Sequence, residues 1–140
     1  MNHIARILKS YFSLPVWVII WIGLFLVPAN FSGYWFMDTA SGWWIAVLGA
    51  TGIIVNLPIV WLNGGLSKVL CIPHILFWTP LVVILGYRLL AVPMNATEFT
   101  LALAVFAVNG MSLAFDYYDF FEWRRGNRAV AGYPDDPVRF

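Results

Sequence analysis

Five polar residues stand inside strongly apolar stretches of this chain: Asn56, His74, Asn109, Asp116 and Asp119. A polar or ionisable group in such surroundings is costly, so each needs a partner, a ligand or a task. Depth follows from the helical rise of about 1.5 Å per residue, which sets Asn56 about 10 Å in from Asn63 and His74 about 9 Å in from Lys68. By the same rise Asp116 lies about 12 Å in from Arg124. Three helices therefore carry polar groups to one level, with Asn109 deeper and Thr51, Thr79 and Ser112 as milder cases. His74 and Asp116 are the pair to watch. A carboxylate beside an imidazole fixes its tautomer and favours its charged form. Such a pair can relay a proton, hold a cation or anchor a lipid head group. The plainer expectation is that His74 satisfies a carbonyl freed near Pro73 or Pro80.

The densest motif runs from Asp116 to Arg128 as DYYDFFEWRRGNR. Asp116, Asp119 and Glu122 are spaced by three, so they progress along one side of a helix, and Glu122 can pair with Arg125. Two carboxylates at that spacing can approach one hard cation, but no third or fourth ligand accompanies them, and no metal site is expected. Interfacial anchoring accounts for the same residues: tyrosines at the boundary, and Lys68, Arg124, Arg125 and Arg128 at the head groups. No cofactor is expected. There is no GxSxG, HExxH, P-loop or dinucleotide fingerprint. A bis-histidine haem would need a second helix histidine, and the only other one is His3. The single cysteine, Cys71, excludes an internal disulfide and a CxxC pair.

Composition states what must position these groups. Of 140 residues 61% are hydrophobic and 11% charged, against about 45–50% and about 25% in a typical soluble domain. A chain this short cannot hide that much apolar surface by folding on itself. Soluble enzyme, disordered tail, nucleic-acid module and disulfide scaffold are excluded as main readings. The expectation is an all-α membrane protein, a single domain over 1–140. Four apolar stretches, about 14–31, 43–62, 69–90 and 98–123, have the length of about 20 residues that a helix needs to cross a bilayer. Short connections predict an up-down-up-down bundle. Expected caps are Ser41 for the second helix, Ser67 for the third, and Asn95 with Glu98 for the fourth. Val27-Pro28-Ala29 imitates a leader cleavage site, but its stretch is longer and richer in tryptophan than a leader and is expected to stay as a span.

Seven basic residues (Arg6, Lys9, Lys68, Arg124, Arg125, Arg128, Arg139) fall on the side of the termini, and Arg88 alone falls opposite. That bias predicts cytoplasmic termini in a bacterial inner membrane, with Arg88 snorkelling outward. Ile4, Ile7, Leu8 and Tyr11 at helical spacing suit a short interfacial helix before Pro15. Tyr34-Trp35-Phe36 is expected in the first outer connection, and the tail, about 124–140, as an extended cytoplasmic segment. Ala46, Gly49, Ala50 and Gly52 on the second helix, and Ala107, Gly110 and Ala114 on the fourth, offer small-residue surfaces for close packing.

Three functions fit. The first is a non-enzymatic accessory protein that associates with itself or with another membrane protein. The second is a small oligomeric channel or transporter with Asn56, His74 and Asp116 in a vestibule. The third is a lipid-modifying enzyme using His74 with Asp116 or Asp119, with the arginines on phosphate. The expected partners are the lipid bilayer and protein, not nucleic acid.

Overall fold

The structure, a computed structural model, describes residues 2–137; Arg139 and the end of the tail lie outside them. Among the described residues the chain forms five helices and a hairpin. They are α1 (His3–Phe12), α2 (Val16–Phe36), α3 (Ala40–Asn63), α4 (Lys68–Ala91), α5 (Ala96–Arg124), β1 (Ala129–Val130) and β2 (Tyr133–Pro137). The four helices α2 to α5, of 21, 24, 24 and 29 residues, are long and apolar enough to cross a membrane.

The helix ends follow local chemistry and differ from expectation in detail. Thr39, not Ser41, caps α3, accepting from the backbone of Gly42 at 3.0 Å. Ser67 has the extended backbone of a cap but makes no cap bond, and its hydroxyl accepts from Asn63 at 3.3 Å. Asn95 does cap α5, accepting from Glu98 N at 2.8 Å. Tyr34-Trp35-Phe36 is not a loop: α2 tightens to a 3₁₀ turn over Ser32–Phe36 and continues through it. The close approach of α3 allows this, because Gly33 and Gly42 let the two backbones nearly touch. Gly64, at φ +66°, closes α3 in the left-handed conformation that glycine adopts without strain.

Neighbouring helices meet in opposite senses. Asn30 of α2 lies against Gly49 of α3, and Gly33 against Ala46. Trp78 of α4 donates its indole N–H to Gly49 O at 3.0 Å, and Asn56 reaches Leu70 O. Between α4 and α5, His74 meets Asp116 and Arg88 meets Glu98. The core is the fully buried set Ile45, Trp78, Leu81, Leu85, Ala102 and Val105. Gly52 leaves the room that the Trp78 indole fills. The small residues of α3 are therefore spent inside the fold, Ala46 and Ala50 being buried.

The end carrying the termini is capped. Ser10 of α1 is buried and accepts from Leu66 N at 2.9 Å. Residues 129–137 fold into an antiparallel hairpin, where an extended segment was expected. Ala131 N donates to Leu66 O at 2.7 Å, Ser67 bridges to Val130, and Arg6 pairs with Asp136 at 2.9 Å. The turn needs Gly132, at φ +76° and hard against Ser13. A local hairpin satisfies backbone groups that an extended strand would leave to water.

Candidate functional site

A cavity of about 590 Å³ opens between α2, α4 and α5 beneath this cap. The volume is that of a small-molecule site. Its walls are mostly apolar, from Leu14, Trp17, Val18, Trp21 and Ile22 on the α2 side to Phe115 on α5 and Val130 on the hairpin. Helix α2 supplies Trp21, Ile22 and Leu26 from a π-helical stretch, Trp21–Leu26. Such insertions re-aim side chains and recur at functional sites.

The polar end is built by two helices. His74 Nδ1 lies 3.1 Å from Asp116 Oδ1, and with the N–H on that nitrogen the imidazole donates to the carboxylate. The ring is stacked on Trp78, one helical turn along α4, with centroids 3.9 Å apart and planes 8° off parallel. Trp78 is itself fixed by its bond to Gly49, so the imidazole plane is held from behind. Nε2 makes no hydrogen bond among the described residues. Asp116 Oδ2 is buried and also lacks a partner among them. One turn along α5, Asp119 accepts from Lys68 Nζ at 2.8 Å. Cys71, Ser67, Ser112 and Asn127 complete the polar lining, and Ser112 accepts from Trp21 Nε1 at 3.1 Å.

The structure brings together His74, Asp116, Asp119 and Lys68. It separates the others. Asn56 shares their depth but does not line the cavity; its amide donates to Gly52 O and Leu70 O, tying α3 to the start of α4. Asn109 is fully buried and exchanges two 2.8 Å hydrogen bonds with Asn30, which also donates to Leu26 O. Arg124, Arg125 and Arg128 are exposed and line no part of the cavity; Arg125 pairs with Glu122, and Arg128 lies 5.0 Å over the Trp123 ring. Arg88 does not reach outward. It is bound at 2.8 Å to Glu98 and at 2.9 Å to the hydroxyl of Ser41, whose backbone N–H also donates to Glu98. Pairing wins over snorkelling because both partners, Glu98 and Ser41, lie within reach and are buried.

Sequence reasoning missed Asn30, Trp78 and the hairpin as parts of this arrangement. The spacing of four between His74 and Trp78 was a usable signal for their stack. No three His, Cys, Asp or Glu side chains gather at metal-binding spacing among the described residues. Comparison with protein-family models, curated proteins and solved structures found no match for this chain. The geometry alone defines the class: a helical protein with four candidate membrane spans and an apolar cavity ending in an oriented imidazole–carboxylate pair.

Proposed function

We propose that this chain is a multi-pass membrane protein, an up-down-up-down bundle whose work is to hold an amphiphilic molecule rather than to transform it. The opposite sense of contacts between successive helices supports the topology. The seven-to-one bias of basic residues supports termini on the cytoplasmic face of a bacterial inner membrane. Helix α1 then lies along that surface. Its Ile4, Leu8 and Phe12 are exposed, while Arg6 and Lys9 turn to the Tyr133 ring of the hairpin.

One observation carries the binding reading: a cavity with apolar walls and one polar end. An alkyl chain fits the walls and a head group fits His74, Asp116, Asp119 and Lys68. Lipid modification is less well supported, because the arginines suited to phosphate stand outside the lining. Conduction needs a continuous polar path. Here the lining ends at Leu26 and Trp78, and Asn30 and Asn109 beyond them are bonded to each other. Native mass spectrometry of protein released from nanodiscs tests the reading. Wild type should retain one amphiphile per chain, and Val18→Trp, which puts an indole into the space, should lose it. Retention by neither protein, or equally by both, contradicts it.

A specific observation favours self-association as a second reading. On α5, Ala107 and Ala114 are exposed, and a Cβ at Gly110 would meet no atom within 4 Å. That small-residue face is free for a second copy, unlike the one on α3. Gly110→Leu should convert a dimer in mild detergent to monomer; a wild type already monomeric there rules the second reading out.

A further inference from the structure

We propose that the molecule held in the cavity carries one positive charge, an ammonium on an alkyl chain, with no phosphate beside it; this rests on the amphiphile-binding reading above. The charges of the lining carry the inference. Two carboxylates, Asp116 and Asp119, stand against one lysine, Lys68, and the His74 imidazole that is hydrogen-bonded to Asp116. Lys68 is already committed to Asp119 at 2.8 Å. Asp116 is therefore the acid that no lysine or arginine pairs among the described residues. Its one partner is the imidazole, and its second oxygen is buried without a hydrogen bond among the described residues. A buried carboxylate lacking a counter-charge is strongly disfavoured, so the cavity is completed by a ligand that brings one.

The walls point the same way. Trp17, Trp21 and Phe115 line the cavity, and aromatic faces attract ammonium and quaternary ammonium groups through the ring quadrupole. Among the described residues an anionic head group finds no free cation there. Arg6 is paired with Asp136, Lys9 lies 5.0 Å over Tyr133, and none of the arginines of 124–128 lines the cavity. A phosphate would meet two carboxylates and an engaged lysine. The ammonium could come from a soluble lipophilic amine or from an aminolipid. The lining favours the amine, because the aminolipid's phosphate has no partner.

Four probes with the same twelve-carbon chain separate these cases: dodecyltrimethylammonium, dodecanol, dodecylphosphocholine and dodecyl phosphate. Each is added to the full chain in nanodiscs at pH 8, and occupancy is read by native mass spectrometry. Dodecyltrimethylammonium should reach half-occupancy at a concentration about tenfold below dodecanol, a difference of about 1.4 kcal/mol, and dodecyl phosphate should bind least. Asp116→Asn and Asp119→Asn each bring the lining to zero charge and should erase the preference. The double variant leaves Lys68 alone and should turn to dodecyl phosphate. Should the double variant not fold, Lys68→Met gives the opposite test, since it adds a second uncompensated charge and should widen the preference. Binding of dodecanol, dodecylphosphocholine or dodecyl phosphate as tight as that of the ammonium probe overturns the charge proposal and leaves the amphiphile reading standing. A double variant that still prefers ammonium overturns it too. If none of the four binds wild type, the amphiphile reading itself fails.

Discussion

At each end of the α4–α5 contact a carboxylate on α5 meets a basic side chain on α4, and the two pairs are buried to nearly the same degree. The side chains of Arg88 and Glu98 are 16% and 11% exposed, those of His74 and Asp116 17% and 14%. Their surroundings differ. At the far end Ser41 donates its backbone N–H to Glu98 and accepts from Arg88, so the pair is enclosed by bonds from three helices. Near the termini, among the described residues, the imidazole keeps an unused nitrogen, Asp116 keeps an unused oxygen, and the packing recedes into a cavity. Burial alone does not mark a functional polar group. Unspent hydrogen-bonding capacity beside open space is what singles out the pair near the termini as the candidate site.

The contrast can be broken by mutation. Arg88→Met should have the largest effect, because it strands Glu98 in a buried site, at a cost of about 3–5 kcal/mol. The loss is read as a fall in unfolding temperature in detergent, and Arg88→Met with Glu98→Met should regain most of it. Asn30→Leu comes next: it orphans the Asn109 amide and should cost about 1–3 kcal/mol, recovered when Asn109→Leu is added. His74→Phe keeps a ring on Trp78 but takes from Asp116 its hydrogen bond; it should cost about 1–3 kcal/mol in stability and weaken retention of the amphiphile about tenfold, or about 1.4 kcal/mol. If its stability cost matched that of Arg88→Met, the terminal pair would be a second clamp and the contrast would vanish. Asp136→Asn should do least, within about 1 kcal/mol, since its pair with Arg6 is partly exposed.

Much of this was legible in the sequence. Four predominantly apolar runs near membrane-crossing length leave little freedom, and the helices fall within a few residues of them except at the end of α2. The pairing of His74 with Asp116 was legible as well, because helical rise sets both at one depth. Depth does not give azimuth, however, so Asn56 shares the level and points its amide elsewhere. Asn30 was overlooked because the first span was ended at Phe31, which made a buried residue look interfacial. The 3₁₀ extension that corrects this depends on Gly33 and Gly42 meeting across two helices, a tertiary contact with no local signature. The cavity was invisible for the same reason: it exists where α2, α4 and α5 fail to fill the space under the hairpin. The tail suggested only an extended segment: its hairpin pairs locally, but the contacts that seat it, Ala131 on Leu66 and Asp136 on Arg6, are with residues far earlier in the chain.

The measurement that most directly tests the account is photo-crosslinking with an alkylammonium probe carrying a diazirine midway along its chain, followed by mapping of the labelled residues in nanodiscs. Adducts concentrated on Val18, Trp21, Ile22 and Phe115 are the result expected of a molecule seated in the cavity. Adducts spread at equal density over the outward-facing Leu24, Leu76, Val83 and Leu90 would mean that the probe meets this protein only as surrounding lipid does.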